Sequence, residues 1–205
     1  MKRYTINDIE EVVNILKNDG AISVPTDTVY GICARINSTK AFNKLVNIKK
    51  RPSNKNFPIM CSDIEQIKSI AIVDDKAEKL IRRFMPGPIT LVLKKRNDAF
   101  LEINNGGNRE TDEMAVRMAT SPFLSAVIKS LGRPLFMTSA NKSGQDVCKS
   151  LDEIEAMCPD LDGMVEGTVS FGESSTIVDC TGKDIKIQRE GPISYNQIIE
   201  ELKNI

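Results

Sequence analysis

Ser23-Val-Pro-Thr-Asp-Thr-Val-Tyr-Gly-Ile32 is the stretch on which the reading of this chain turns. A short apolar run (Ala21, Ile22, Val24) stops at Pro25, and two threonines, an aspartate and a tyrosine follow before Gly31. Hydroxyls packed this densely at the end of a buried strand are poor core material, because each buried hydroxyl needs a partner. Two readings are open: a strand-ending turn whose side chains bond their own backbone, or a cradle for a small polar ligand.

The bulk numbers bound the rest. A chain of 205 residues, 40% hydrophobic and 27% charged, can bury a packed core and is read as one domain, residues 1–205. Lysine plus arginine and aspartate plus glutamate are equal at 28 each, so overall charge points to neither nucleic acid nor membrane. Any basic site must come from local clustering. The five cysteines (Cys33, Cys61, Cys148, Cys158, Cys180) are odd in number and never spaced C-x-x-C, and there is no histidine. A zinc site, a Ser-His or Cys-His nucleophile and imidazole acid–base chemistry are therefore not expected. The N-terminus runs straight into a polar helical pattern without a signal-peptide core, and no apolar run approaches a membrane span. The expectation is a soluble, cytoplasmic protein with reduced thiols.

Outward from the organising strand, the pattern alternates helices and strands. Residues 7–19 read as a helix with Ile9, Val12, Val13 and Leu16 on one face and Asn7 with Glu10 as a capping box, stopped by Gly20. Ser38 or Thr39 caps a second helix with Phe42, Leu45, Val46 and Ile48 inward. That helix runs out in Lys49-Lys-Arg-Pro-Ser-Asn-Lys55, a basic cluster at a helix end or on a solvated loop. Residues 57–61 read as a strand, Ser62 to Glu65 as a capping box, and 75–84 as a helix with Ala77, Leu80, Ile81 and Phe84 inward. Met85-Pro-Gly-Pro88 turns into the strand Ile89 to Leu93, and 96–112 read as an exposed, mobile loop. Met114 to Met118 is a strand with one arginine inside; Arg117 faces either water at an edge or a polar cavity.

A second polar strand end, Leu135-Phe-Met-Thr-Ser-Ala-Asn-Lys-Ser-Gly144, follows a helix over 123–131. Small hydroxyl and amide donors at a sheet end suit carboxylate or phosphate oxygens, and equally an Asx or Ser turn. Ser150 caps a short helix to Met157. A hydroxyl cluster, Glu173-Ser-Ser-Thr176, then precedes the strand ending at Asp179, and a hairpin returns to Arg189. Ser194 to Gln197 caps the last helix. The terminal hairpin argues against an all-parallel sheet. The fold class is α/β: a single-domain twisted mixed parallel/antiparallel sheet flanked by helices. There is no G-x-G-x-x-G, and Gly182-Lys183 lacks P-loop spacing, so a nucleotide would be met by Lys49, Arg51, Lys55, Arg189 and serine hydroxyls.

Taken in order, the segments Pro25 to Gly31, Lys49 to Pro52, Pro86 to Leu91, Ala115 to Arg117, Ser139 to Gly144, Glu173 to Asp179 and Arg189 to Gly191 resemble the motifs of the YrdC-like threonylcarbamoyl-AMP synthase family. The resemblance spans roughly residues 10–195. It implies a large basic cavity and a nucleotidyltransferase reaction: L-threonine, bicarbonate or CO2, and ATP give threonylcarbamoyl-AMP and pyrophosphate. It implies magnesium on the phosphates, and a tRNA threonylcarbamoyl transferase as the downstream partner, acting at adenosine 37. Motif by motif, Thr28, Arg117 and Ser175 match threonine-site positions, and Arg51, Lys55, Ser139 and Arg189 match nucleotide-site positions. Lys49 and Asn141 belong to the family's K-x-R and S-x-N sets; Lys49 and Arg51 are the expected catalytic pair, with Asn141 beside the ATP. Met60 stands where many members have histidine, Val147 where many have serine, and Asp27 where glutamate is common. Longer members carry a second C-terminal domain, which this chain ends before. The sequence offers no dedicated cage of carboxylates for a metal; Asp27 has two readings, a turn cap first and a water-mediated metal ligand second.

Two other functions fit the same residues. The Lys49–Lys55 cluster suits a module that binds tRNA or double-stranded RNA without catalysis, although no tryptophan and few aromatics argue against a stacking platform. Carbamoyl-adenylate chemistry on another acceptor, as in hydrogenase-maturation enzymes, is the third.

Overall fold

The structure, a computed structural model, describes residues 1–52, 56–96 and 112–203. Lys55 and nearly all of the loop expected at 96–112 lie outside the described residues. The described residues form ten strands and seven helices. The strands are β1 (Arg3–Tyr4), β2 (Ala21–Val24), β3 (Gly31–Arg35), β4 (Ile59–Cys61), β5 (Ile89–Lys94), β6 (Glu113–Met118), β7 (Leu135–Ser139), β8 (Gly163–Val165), β9 (Thr176–Asp179) and β10 (Lys186–Arg189). The helices are α1 (Ile9–Lys17), α2 (Thr39–Lys49), α3 (Ile64–Ile70), α4 (Asp75–Phe84), α5 (Pro122–Leu131), α6 (Leu151–Met157) and α7 (Tyr195–Leu202).

All the strands join one mixed sheet in the order β1-β8-β2-β3-β7-β4-β6-β5-β9-β10. The pairs β1–β8, β8–β2, β4–β6 and β5–β9 are parallel and the others antiparallel. The mixed sheet expected from the terminal hairpin is thus present.

The period of two along each strand decides what covers each face. On one face, Ile59, Leu91, Val116 and Val178 pack with Leu80, Ile81 and Ile198, so α3, α4 and α7 cover the β4–β6–β5–β9 half. Phe136 continues that face, opposite Ile59, into a second cluster under α2 and α6. There the rings of Phe42, Phe57 and Phe136 meet edge-on or tilted with centroids 5.6–6.0 Å apart. On the other face, α1 and α5 cover β2, β3 and β7 through Val12, Leu16, Phe123 and Val127 against Ile22, Cys33 and Leu135. Among the described residues no helix continues that layer over β6, β5 and β9. Met60, Arg117, Thr90 and Ile177 point to this uncovered side, with Met60 in register with Arg117 and Thr90 with Ile177.

Several local expectations are corrected. The hydroxyl stretch does not end an isolated strand: β2 turns back as antiparallel β3, so residues 25–30 are the connection of a hairpin. Nothing in Gly-Ile-Cys-Ala-Arg marks its pairing, which is fixed by β7 on its far side. The N-terminus does not run straight into a helix. Arg3–Tyr4 pairs with β8, and the Tyr4 ring sits where a Cβ on Gly163 would be, 2.6 Å from its Cε2. The first helix is shorter than 7–19. Its N-cap is Asp8, whose carboxylate is taken by Thr5 N and Oγ1 (2.6 and 2.8 Å) instead of closing a box with Asn7 and Glu10. Asp63, not Ser62, caps α3 and accepts from Gln66 N. On α2, Val46 is half-buried against the core as expected, and Lys49 is buried as well. The capping box at Ser194 and Gln197 and the span of α4 are as read from the sequence.

All five cysteines are free and buried. Burial pushes the Cys33 and Cys180 thiols up to about 12 and Cys148 up to about 11, and also raises Cys61 and Cys158. No helix of the described residues is long and apolar enough to cross a membrane.

Candidate active site

The uncovered side of the sheet holds a cavity of about 240 Å³. Its floor is the row described above: Met60, Arg117, Thr90 and Ile177, with Ser175 just before β9. One wall is the β2–β3 connection, with Thr26, Thr28 and Gly31; another is the end of β7, with Met137, Thr138 and Ser139. Arg51, Pro58, Ser174 and Arg189 complete the lining.

Arg117 is the best-held side chain in it. Its residue is 8% exposed. Nη2 donates to both Asp27 oxygens (2.6 and 2.7 Å) and to Gly87 O (3.1 Å), Nε donates to Gly87 O (3.3 Å), and Nη1 donates to Thr28 Oγ1 (2.8 Å). A guanidinium has five N–H groups, so among the described residues one Nη1–H is left over, on a side chain that lines the cavity. Burial lowers the Arg117 pKa and Asp27 opposes that shift, so the group stays charged. The choice between an edge and a polar cavity is thereby settled for Arg117.

The threonines form a directed chain. Thr26 Oγ1 gives its only proton to Val29 O at 2.5 Å. In the 3.0 Å contact between Thr26 and Thr28, Thr28 must therefore be the donor. Thr28 Oγ1 then presents only acceptor capacity, and Arg117 uses part of it. The turn reading of the hydroxyl stretch describes Thr26, which bonds its own backbone, while Thr28 lines the cavity. The loop is also fastened from outside, since Asp27 O accepts from Ser170 N and Phe171 N, Thr28 O accepts from Gly172 N, and Tyr30 Oη donates to Gly167 O.

The opposite wall is built by Ser175 and Arg189. Ser175 Oγ lies 2.8 Å from Thr90 Oγ1, and Arg189 donates through Nε and Nη2 to Ser175 O (3.0 and 2.8 Å). Thr176, one residue on, turns away and ties Gly191 N and Ile193 N through its hydroxyl. Arg51 donates to Asn56 O at 2.6 Å and stacks over Phe57 at 4.8 Å. Burial lowers the pKa of both Arg51 and Arg189.

Thr28, Arg51, Arg117, Ser139, Ser175 and Arg189 thus meet in one cavity, from six separate segments. Lys49 and Asn141 stand behind Ser139: Lys49 Nζ donates to Ser139 O and to Asn141 Oδ1, both at 2.6 Å. Sequence reasoning missed Thr90 and Ser174 as lining residues. The signal for Thr90 was available, because it is the one polar residue in Ile89-Thr-Leu-Val-Leu93 and shares strand parity with the open face. Met60 lies in the lining as an apolar floor residue.

Fold and site define a class: an α/β protein whose arginines and hydroxyls converge on the open side of a mixed sheet. The chain belongs to the Sua5/YciO/YrdC family, described as telomere recombination, which it matches over residues 14–191. It is 32% identical over 196 residues to the threonylcarbamoyl-AMP synthase of Bacillus subtilis, covering 93% of this chain and 55% of that one. It is 30% identical over 158 residues to the threonylcarbamoyl-AMP synthase of Aliivibrio fischeri, covering 76% and 83%. The structure of P. abyssi Sua5 complexed with L-threonine superposes with a TM-score of 0.88 at 26% identity, over 100% of this chain and 61% of that one. The chain therefore spans little more than half of two of these three relatives.

Proposed function

We propose that this protein is an L-threonylcarbamoyladenylate synthase, a nucleotidyltransferase that makes threonylcarbamoyl-AMP and pyrophosphate from L-threonine, bicarbonate or CO2, and ATP. The observation that carries the reading is the meeting of two kinds of group in one cavity. The Arg117 Nη1–H beside Thr28 suits the carboxylate of an amino acid, and Arg51, Arg189 and Ser139 suit phosphate oxygens. The names of the B. subtilis and A. fischeri relatives, and the threonine held by the P. abyssi protein, support the same assignment.

The chemistry needs no covalent enzyme intermediate. The threonine amine attacks CO2 and loses a proton, giving a carbamate. A carbamate oxygen then forms a bond to the α-phosphorus of ATP as the bond to pyrophosphate breaks. The residues act by holding two anions in line and by neutralising charge on the transferred group. We assign L-threonine to Thr28, Arg117 and Ser175, and ATP to Arg51, Lys55, Ser139 and Arg189; Arg51 and Arg189 in the lining, beside an Arg117 paired with Asp27, support a basic cavity. The described residues contain no group of three or more acidic, cysteine or histidine side chains able to hold a metal, and Asp27 is committed to Arg117. They do not fit a resident magnesium site. Five unpaired thiols support a reducing, cytoplasmic setting. The product is consumed by a transferase acting on tRNA.

The test is pyrophosphate release from ATP with bicarbonate, with and without L-threonine, and with serine as control. Threonine-dependent release is expected. Arg51→Ala should lose on the order of 2–4 kcal/mol of transition-state stabilisation, a drop of roughly 30- to 1,000-fold. Wild-type turnover in Arg51→Ala would remove Arg51 from the site, and release independent of threonine would sink the assignment.

A further inference from the structure

Lys49 is 2% exposed and, among the described residues, has no carboxylate within ion-pair distance. A buried ammonium without a counter-charge is costly, and an apolar side chain of similar volume is usually no less stable there. Its presence calls for a role other than packing. Yet it is not part of the cavity lining. It is the last residue of α2, and Lys50 beyond it adopts a left-handed conformation (φ 48°, ψ 41°). That turn aims Lys49 inward at the end of β7 while Arg51, two residues on, reaches the cavity.

The contacts beyond Lys49 form one unit. Asn141 Nδ2 donates to Gln145 O at 2.6 Å, which fixes the orientation of the amide and turns Oδ1 toward Lys49 and Ser139. Oδ1 accepts from both Lys49 Nζ and Ser139 Oγ, each at 2.6 Å. Ser143 N donates to Lys49 O at 2.8 Å and holds the loop to the helix end. Ser139 alone of these side chains lines the cavity.

We propose that Lys49 never meets substrate: it is a positioning residue that keeps the Asn141 carboxamide oxygen occupied, so that the Ser139 hydroxyl is free to donate its proton to a phosphate oxygen of the bound nucleotide. When the nucleotide arrives, Ser139 Oγ–H turns into the cavity, and Asn141 Oδ1 retains the charge-assisted bond from Lys49. Without the ammonium, the same rotation strands a buried acceptor. This rests on the ATP site proposed above.

The arrangement sets a pH dependence. Burial, with Arg51 adding to it, brings Lys49 down to about 8. The other titratable groups facing it are Cys148, pushed up to about 11, and Cys158, which burial also raises. The neutral amine keeps two N–H donors but loses the charge that strengthens them, so nucleotide affinity should weaken as pH rises through about 8, and the limb belongs to Lys49.

The experiment is calorimetric binding of a non-hydrolysable ATP analogue, and separately of L-threonine, to the full chain between pH 7 and pH 9. Lys49→Met is expected to bind the analogue about tenfold more weakly at pH 7, with the alkaline limb gone and L-threonine affinity unchanged. In the double variant with Ser139→Ala, the two losses should not add. Wild-type analogue affinity in Lys49→Met, a limb that persists in it, or additive losses would each overturn the role. If Lys49→Met does not melt cooperatively, Lys49→Gln takes its place with the alkaline limb as the criterion, since a glutamine amide can still donate to Asn141 Oδ1 but does not titrate. Failure of the wild-type chain to bind any nucleotide would end the proposed ATP site and this role together; binding unaffected by Lys49 ends only the latter.

Discussion

A buried arginine is tolerable only if its charge and its donors are both accounted for, and Arg117 meets that condition through Asp27, Thr28 and Gly87. Asp27 is therefore the structural partner of a cavity arginine. Its side chain is 14% exposed and that of Arg117 9%, so the pair is little screened by solvent. Asp27→Asn should lower folding stability by about 3 kcal/mol or more, because it leaves the guanidinium uncompensated. Chemical denaturation checks this, and a loss below about 0.5 kcal/mol would mean that the charge is balanced elsewhere. At this scale the sequence was informative about residue type and silent about direction. An arginine inside Met114-Ala-Val-Arg-Met118 had to be paired or wet. In the run Lys49-Lys-Arg51, nothing local said that the first is enclosed, the second exposed and the third at a cavity rim. That pattern follows from the left-handed turn at Lys50, which a lysine adopts only under tertiary constraint.

Between elements, one close approach at a glycine sets the site. A Cβ on Gly191 would lie 2.3 Å from Ser174 O, 2.8 Å from Thr176 N and 2.9 Å from Ser175 C, all backbone atoms that cannot yield cheaply. Gly191 thus permits the chain after β10 to press against the segment that carries Ser174 and Ser175. Gly191→Ala should cost at least tenfold in threonine-dependent pyrophosphate release by shifting Ser175 about 1 Å. Gly182→Ala, in the β9–β10 turn with its nearest contact at 3.4 Å, should leave the rate within twofold, as surface substitutions away from such features do. Equal rates for the two variants would refute the close-packing account. Helices were the most legible elements, because apolar spacing and N-caps are local: α4, α5 and α7 fall where 75–84, 123–131 and Ser194 placed them. Strands β1 and β3 were not legible. Each is defined by a neighbour far away in sequence, Tyr4 by Val165 and Cys33 by Met137, and two to five residues carry too little pattern to announce a partner.

For the whole molecule, the decisive property is the asymmetry of the sheet. One face is covered along its length by α2, α3, α4, α6 and α7, while α1 and α5 cover the other only as far as β7 and Met60. The general architecture was readable from alternation of elements; the gap in the second layer was not, since it depends on where helices dock and not on where they form. Ligands that fill the gap bind the folded state alone, so they should stabilise it by mass action. With L-threonine and a non-hydrolysable ATP analogue each at about 100 times its dissociation constant, the gain is about 2.7 kcal/mol per independent site. A thermal melt should rise by several degrees with each, and a midpoint indifferent to both would contradict a shared cavity on this face. One further property holds over the whole chain: every thiol is enclosed and protonated, and there is no tryptophan. The native protein is in consequence almost mute toward electrophilic labels and red-edge fluorescence. A single cysteine or tryptophan introduced at the exposed Phe171, beside the loop that carries Asp27, would report on the site against a dark background.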